Sequence, residues 1–265
     1  MADALGHLIV GRQNRRILAV SRFGQHLTIS ASLALLGVGA GLFGQTTPPG
    51  QFVRFTVFSA RPISDIAFVG RATGGPQKIV FESTTRSPRY EHRGPMPLKF
   101  VDVNSGATVA EANIPPNIHD ALLLFAPVES GEGKANVAGA RLRYQVSVID
   151  DSAVRHAAGG LAILNLSGLA LSGTVNKERV TLKPGLNPTL AVGHAAEISL
   201  STVARNRTYR TYANTVALRR DERALLILYP PYYKGSFEVQ SRLLIDQPPG
   251  AATSATSAAG AAPRR

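Results

Sequence analysis

Two similar apolar runs decide the fold: Ala121-Leu-Leu-Leu-Phe-Ala-Pro127 and Ala224-Leu-Leu-Ile-Leu-Tyr-Pro230, which lie 103 residues apart. Neither run contains a charged residue, so each suits a strand that is covered on both faces at the centre of a sheet. A proline closes each run, and proline cannot donate to the hydrogen-bond ladder of a sheet. The two runs therefore predict two equivalent central strands.

Further segments match in the same order outward from these runs. Tyr144–Asp150 corresponds to the segment that ends at Asp246, with an offset of 96 between the two aspartates. Phe55–Ser59 corresponds to Ile163–Ser167, with an offset of 108. Three matched segments in order predict an internal duplication, with chance similarity of apolar runs as the alternative. Each copy has the size of an immunoglobulin-like sandwich, about 100 residues.

Turn signals punctuate the middle of the chain. Gly74-Gly-Pro, Asn104-Ser-Gly, Pro115-Pro-Asn, Pro184-Gly and similar groups separate short strand-like runs, and no sustained helical stripe with caps occurs. This pattern is typical of sandwiches or barrels rather than of alternating strands and helices. We therefore predict an all-β protein with two tandem immunoglobulin-like β-sandwich domains, at residues 51–152 and 158–247.

The amino-terminal region has the pattern of an export signal. Residues 27–44 carry no charged residue, and four arginines precede them. A basic segment followed by an apolar segment and small residues predicts a secretory signal peptide. A retained membrane anchor is the alternative, although four glycines make the run marginal for a span of about 20 apolar residues. Residues 1–44 are thus predicted to be a signal or anchor helix.

The carboxyl-terminal residues 248–265 hold no large apolar side chain and are predicted to be a disordered tail. The whole chain has a formal net charge of +12 and no cysteine. Residues 51–250 have a formal net charge of about +7, because six arginines and one aspartate lie outside this range. Without cysteine there is no disulfide, thiolate zinc site or cysteine nucleophile.

The second copy carries a further pattern. Leu161-Ala-Ile-Leu-Asn-Leu-Ser167 is followed by Val180-Thr-Leu-Lys-Pro-Gly185. In this the chain resembles exported bacterial proteins with tandem immunoglobulin-like sandwiches, in which an Asn-x-Ser strand precedes a strand that ends in Pro-Gly. The resemblance covers residues 50–247. It implies a β-sandwich in the envelope or outside the cell, and it brings no catalytic residues.

Motifs for bond chemistry are weak throughout the sequence. The histidines do not follow a metal-binding spacing, and the Gly-x-Ser-x-Gly motif of hydrolases is absent. Asp150 and Asp151 would point to opposite faces of a strand, which is a poor arrangement for an acid and base pair. Asp102-Val-Asn-Ser-Gly106 lacks calcium-loop spacing and predicts a hairpin turn. We predict no catalytic residue, no metal ligand and no cofactor.

A basic and aromatic segment is the strongest candidate binding site. Its predicted binding residues are Arg205, Arg207, Tyr209, Arg210 and Tyr212. On an extended strand, Arg205, Arg207 and Tyr209 would share one face, and Arg210 and Tyr212 the other. Arginine supplies forked donors for anions and tyrosine supplies stacking area. Arg219, Arg220 and Arg223 follow and extend the basic segment. Edge protection against aggregation is the alternative interpretation of these charges.

The Arg86–Pro97 segment is basic and rich in proline, which favours either a contact loop or a plain connector. The expected function is that of a non-catalytic structural, adhesive or interaction protein, exported to the periplasm, cell surface or medium. The expected partner is an envelope protein or an anionic glycan, with no nucleic acid, and with membrane contact only through an uncleaved amino-terminal segment. The alternatives are a carbohydrate- or anion-binding module and a hydrolase whose site is assembled from distant residues.

Overall fold

The computed structural model of the protein describes residues 50–70, 74–82, 84–128 and 142–249. The predicted signal or anchor and all but two residues of the predicted tail lie outside these ranges. The regular structure of the described residues is entirely β-strand, which confirms the all-β prediction. In this part of the chain, no helix has the length and apolarity needed to cross a membrane.

The first half of the described chain contains eight strands. They are β1 (Gln51–Ser59), β2 (Ile66–Val69), β3 (Pro76–Lys78), β4 (Tyr90–Gly94), β5 (Leu98–Asp102), β6 (Thr108–Ala112), β7 (Asp120–Pro127) and β8 (Tyr144–Asp150). They form two sheets, sheet I in the order β4-β1-β7-β8 and sheet II in the order β3-β2-β5-β6. The apolar run that begins at Ala121 is thus an interior strand, as predicted.

The second half contains nine strands. They are β9 (Gly160–Asn165), β10 (Leu171–Val175), β11 (Glu178–Leu182), β12 (Gly185–Leu186), β13 (Leu190–Ala191), β14 (Ala195–Ala204), β15 (Arg207–Ala217), β16 (Arg223–Pro231) and β17 (Val239–Asp246). Sheet III has the order β12-β9-β16-β17, with β13 also paired to β9, and sheet IV has the order β11-β10-β14-β15.

The two halves repeat one topology, except that β4 beside β1 corresponds to two short strands, β12 and β13, beside β9. In each half the first strand forms a parallel pair with the central apolar strand, β1 with β7 and β9 with β16, and the other pairs are antiparallel. An immunoglobulin constant domain instead places its first strand beside its second, in the order A-B-E-D, with C-F-G in the other sheet. The strand order therefore departs from the immunoglobulin-like arrangement predicted. A period-two pattern assigns faces to a strand but does not choose its neighbours.

The strand registers correct two of the offsets read from the sequence. Ala121 pairs with Phe55 and Asp150, and its equivalent Ala224 pairs with Leu161 and Ile245. Phe55 therefore corresponds to Leu161, an offset of 106 rather than 108. Asp150 corresponds to Ile245, an offset of 95 rather than 96. Asp246 is consequently the counterpart of residue 151. A shift of one residue turns a side chain to the other face of a sheet, so the second correction changes which aspartates are equivalent.

Each half has its own hydrophobic core between its two sheets. Sheets I and II share a core rich in aromatic rings, in which Phe55 contacts Phe68 and Phe100 edge-on at centroid distances of 5.0 and 6.4 Å. Sheets III and IV share an aliphatic core that includes Leu161, Leu200 and Leu226. Burial of aromatic or aliphatic side chains at about 25 cal/mol per Å² of apolar surface is the main stabilising term in both.

A third core joins the two halves. Phe58, Leu122 and Leu124 on the outer face of sheet I pack against Leu164, Leu225 and Ile227 on the outer face of sheet III. Because β7 and β16 contribute alternate residues to their own core and to this shared core, both strands are covered on both faces. The third core explains why the runs at Ala121 and Ala224 are apolar without alternation.

Candidate functional site

The predicted Arg/Tyr segment lies on the β14–β15 hairpin of sheet IV. Ala204 pairs with Arg207, so Arg205 and Asn206 form the two-residue turn between the strands. Both have positive φ, 49° and 58°, as a type I′ turn requires. Arg205 is therefore at the tip of a hairpin and does not share a strand face with Arg207 and Tyr209. The usual Asn-Gly signal for this turn is absent, which is why the sequence did not reveal it.

A β-bulge alters the predicted faces of the segment. Leu200 pairs with Tyr212 and Ser201 with Arg210, so Thr211 is an extra residue on β15. Its hydroxyl donates to the carbonyl of Leu200 at 3.1 Å. An extra residue shifts the alternation by one, so Tyr212 lies on the side of Tyr209 and not with Arg210. The prediction that Arg210 and Tyr212 share a face was therefore wrong.

The two tyrosines of the segment are half-buried and pack within the protein. The Tyr209 ring stacks on Phe237, with centroids 4.5 Å apart and planes inclined by 28°. Tyr212 packs against the core of sheets III and IV, and its hydroxyl accepts a hydrogen bond from Asn214 at 3.3 Å. Arg205, Arg207 and Arg210 are exposed. The arginines are thus presented to solvent, whereas the tyrosines stabilise the hairpin.

The tertiary structure brings a second aromatic group to the same end of sheets III and IV. The β16–β17 loop contains Phe237, which stacks on Tyr209, and also Tyr232 and Tyr233, whose side chains are 75% and 72% exposed. The rings of Tyr232 and Tyr233 meet edge-on at 4.9 Å. We call this surface the Arg/Tyr end: Arg205, Arg207, Tyr232, Tyr233 and Lys234. No ion pair within the described ranges involves its three cations.

A buried ionic cluster lies where the two halves meet. Arg223, the first residue of β16, is fully buried and is not part of a basic surface as the sequence suggested. Its Nε and Nη2 donate to the two carboxylate oxygens of Asp246 at 3.1 and 3.0 Å, and Nη2 also donates to Asp151 Oδ2 at 2.7 Å. Its Nη1 donates to the carbonyl oxygens of Asp151 and His156, both at 3.0 Å.

The first half contributes Arg86 to this cluster. Arg86 Nη1 donates to Asp151 Oδ2 at 2.5 Å, and Nη2 lies 3.5 Å from Asp246 Oδ1. Arg86 is thus a buried structural residue. Tyr90–Gly94 of the same Arg86–Pro97 segment forms strand β4. The segment is therefore neither the contact loop nor the plain connector that the sequence suggested. Two arginines and two aspartates tie together the β3–β4 segment, the end of β8, β16 and β17. Arg86 and Arg223 are 137 residues apart, so no local pattern indicates the cluster.

The cluster keeps Asp151 ionised. Burial of the Asp151 carboxylate raises its pKa, but the guanidinium groups of Arg86 and Arg223, which donate to it, outweigh burial and hold the pKa well below its ordinary value of 3.8. His156 Nε2 lies 2.8 Å from the carbonyl oxygen of Ala224, so Nε2 carries a proton that it donates. Nδ1 of the same ring is 3.9 Å from Asp151 Oδ1, beyond hydrogen-bond distance. The arrangement of His156 and Asp151 is suited to structural support.

We expect acid to destabilise the protein through Asp151. A depressed folded-state pKa means that the stabilising contribution of Asp151 is complete above about pH 4 and is lost as the pH falls further. The free energy of unfolding should therefore decrease between about pH 4 and pH 2. Urea unfolding across this range measures it. Asp151→Asn should lower stability at neutral pH and flatten the acid dependence.

The partly exposed Asp102 provides a control for this pH dependence. Its pKa is lowered to about 2, chiefly by the amide of Ser105, in the predicted hairpin turn between β5 and β6. Asp102 is partly exposed and its partner Arg143 is exposed, so added salt should weaken the contribution of Asp102 more than that of the buried Asp151. An acid dependence in high salt that is equal in the parent protein and in Asp151→Asn would contradict the assignment.

No protein-family model matches the chain, and no curated protein is significantly similar to it. Among the described residues, no group of three or more His, Cys, Asp or Glu side chains is arranged to hold a metal ion.

Proposed function

We propose that the protein is a non-catalytic interaction scaffold of the bacterial envelope or the extracellular space. In this proposal, two tandem β-sandwiches follow an export signal and act as one rigid body. The Arg/Tyr end of the second sandwich is the surface that contacts a partner. The location is supported by the signal pattern of residues 1–44 and by the resemblance to exported proteins with tandem sandwiches.

The observation that carries the proposal is the fusion of the two halves. A shared apolar core and a buried ionic cluster both span them, so neither sandwich can turn without exposing apolar surface or separating buried charges. Both penalties are large, since unpaired buried charges are costly and apolar burial is the main stabilising term. A rigid frame of this kind holds surface loops in a constant relation, as a scaffold requires.

A second candidate function is recognition of an anionic glycan at the same end. It is favoured by the exposed rings of Tyr232 and Tyr233 at the same end of the sheets as arginines that make no ion pair in the described part of the chain. Aromatic faces stack on sugar rings, and guanidinium groups bind carboxylate or sulfate. A protein partner and an acidic glycan would use the same chemistry, so binding experiments must separate them.

The test compares a variant at the Arg/Tyr end with a control variant at the opposite end of β15. In the first, Arg205 and Arg207 become Glu and Tyr232 and Tyr233 become Ser. In the control, Arg219 and Arg220 become Glu; these exposed arginines follow the far end of β15. Each protein is immobilised and exposed to solubilised envelope, and bound proteins are identified by mass spectrometry, while polygalacturonate binding is measured separately.

We expect the Arg/Tyr-end variant to lose its partner by about tenfold or more in affinity and the control to keep it. Loss of an envelope protein supports the scaffold, and loss of polygalacturonate supports the glycan module. Equal binding by both variants would contradict the placement of the contact surface. Cell fractionation showing the protein in the cytoplasm would contradict the envelope location.

A further inference from the structure

Strand β15 is the terminal strand of sheet IV and the longest strand of the described chain, with 11 residues. Among the strands of the described residues, it pairs only with β14, on one side. A terminal strand presents a row of main-chain N–H and C=O groups to which another extended chain can be added. The register of the hairpin shows which groups these are.

Alternate residues of β15 direct their main-chain groups away from β14. The amide of Leu218 donates to the carbonyl of His194 at 2.8 Å, which defines 194 and 218 as a hydrogen-bonded pair. Hydrogen-bonded and non-hydrogen-bonded pairs alternate along antiparallel strands. Ala213, Thr215 and Ala217 therefore lie in non-hydrogen-bonded pairs and direct their main-chain groups outward. Between the turn at Arg205 and the bulge, the same alternation places Thr208 and Arg210 in non-hydrogen-bonded pairs. Their main-chain groups therefore also point away from β14.

The equivalent edge in the first half is covered. There, the amide of Arg143 donates to the carbonyl of Val109 on β6 at 2.9 Å, which closes sheet II onto sheet I. By the offset of β8 and β17, Glu238 corresponds to Arg143. The amide of Glu238 instead donates to the side chain of Ser236 at 3.1 Å, within its own loop. The same topology thus closes the edge at β6 and leaves β15 without this contact.

The charge along β15 selects the chemistry of an added strand. Arg207 and Arg210 lie on β15 and Arg205 in the turn, and the strand contains no acidic residue. None of the three forms an ion pair in the portion of the chain that the structure describes. The remainder of the exposed edge is small and uncharged, at Ala213, Thr215 and Ala217, so it accommodates an approaching backbone.

We propose that β15 binds an extended acidic segment of a partner protein by strand addition. Main-chain groups of Ala213, Thr215 and Ala217 pair with the added strand, and the arginines at the hairpin end attract its carboxylates. The inference rests on the proposed function as a scaffold and specifies its site and the chemistry of its partner. One main-chain donor of the edge is guarded, since Asn214 Oδ1 accepts from the amide of Thr215 at 2.8 Å. An added strand displaces this side chain.

The experiment uses a blocked synthetic peptide of alternating Glu and Val as the probe and the whole protein as the receptor. A second peptide of the same sequence has alternate main-chain amides N-methylated, which keeps the charge and removes the donors of one edge. A third alternates Lys and Val. Affinity is measured by isothermal titration calorimetry, and isotope-edited infrared spectra of the bound peptide report whether it has joined a sheet.

Three variants locate the binding. Ala213→Pro removes an outward amide at a position where an edge strand tolerates proline. Arg210→Glu reverses a charge at the edge, and Arg179→Glu, on the opposite edge strand β11 of the same sheet, is its matched control. Unfolding midpoints in urea show that each variant is folded. Should Ala213→Pro fail to fold, the N-methylated peptide supplies the same test on the unchanged protein.

We expect the acidic peptide to bind and both N-methylation and Ala213→Pro to weaken it by about tenfold or more. Arg210→Glu should weaken it several-fold and Arg179→Glu should not. Asn214→Ala should strengthen it, because the amide of Thr215 then has no competing acceptor. Equal binding of the N-methylated peptide overturns strand addition, as does self-association through β15 that excludes the peptide. If the Arg/Tyr-end variant lost the envelope partner but the acidic peptide did not bind at β15, strand addition would be contradicted. The proposed function as a scaffold would not be.

Discussion

Replacing Arg223 with methionine is expected to lower the free energy of unfolding by about 3–5 kcal/mol. The arginine is fully buried and makes five hydrogen bonds to Asp151, His156 and Asp246. Methionine fills part of the same volume, but it removes the positive charge that pairs with the carboxylates of Asp151 and Asp246. Loss of one partner of a buried ion pair is costly because the remaining charge stays desolvated. Urea unfolding at pH 7 measures the change.

Arg220→Met is the matched control for this substitution. Arg220 is exposed and forms no ion pair in the described part of the chain, so its replacement should change stability by less than about 0.5 kcal/mol. The double variant Arg223→Met with Asp151→Asn should recover part of the loss, since it removes one of the uncompensated charges. Equal stability of Arg223→Met and Arg220→Met would show that the ionic cluster does not hold the two halves together.

Ile227→Ala is expected to uncouple the unfolding of the two halves. Ile227 is fully buried in the core shared by sheets I and III, and removing its side chain should cost about 2–5 kcal/mol. Because that core joins the two halves, the lost packing free energy weakens the contact between them. We expect a single cooperative urea transition in the parent protein and two transitions in the variant. Hydrogen exchange should show increased exposure on β7 and β16 together.

Leu226→Ala tests whether the face of the strand matters. Leu226 is the adjacent residue on β16, equally buried, but it faces the core between sheets III and IV. Its truncation should cost a similar free energy while the two halves still unfold together. If both variants gave the same single transition, the third core would not be the element that couples the halves.

Much of the strand content could be predicted from the sequence, whereas the sheet order could not. The runs at Ala121 and Ala224 indicated interior strands because continuous apolar character reports burial on both faces. The order of strands differed from the immunoglobulin-like expectation, because the side-chain pattern of a strand carries no information on which strand lies beside it. The duplication was visible, but its register was wrong by two residues at Phe55 and by one at Asp150.

For the candidate site, too, the sequence indicated the residues but not their arrangement. The sequence pointed to Arg205, Arg207, Tyr209, Arg210 and Tyr212, and the structure places all five on one hairpin. The turn at Arg205 and the bulge at Thr211 changed which of them share a face. Tyr232 and Tyr233 belong to the loop whose Phe237 stacks on Tyr209, which brings them to this surface. Such a contact between separate hairpins has no local signature.

The sequence by itself determined that the described chain is all-β, that two apolar runs lie at the centre of their sheets, and that the segment around Arg205 carries positive charge. These properties follow from the apolar content, alternation and turn residues of short segments, which act locally. Only the tertiary structure decided that Arg86, Asp151, Arg223 and Asp246 form one buried cluster and that β15 is a terminal strand among the sheets of the described residues. Both depend on how four sheets stack, and stacking brings together residues that the chain separates by up to 160 positions.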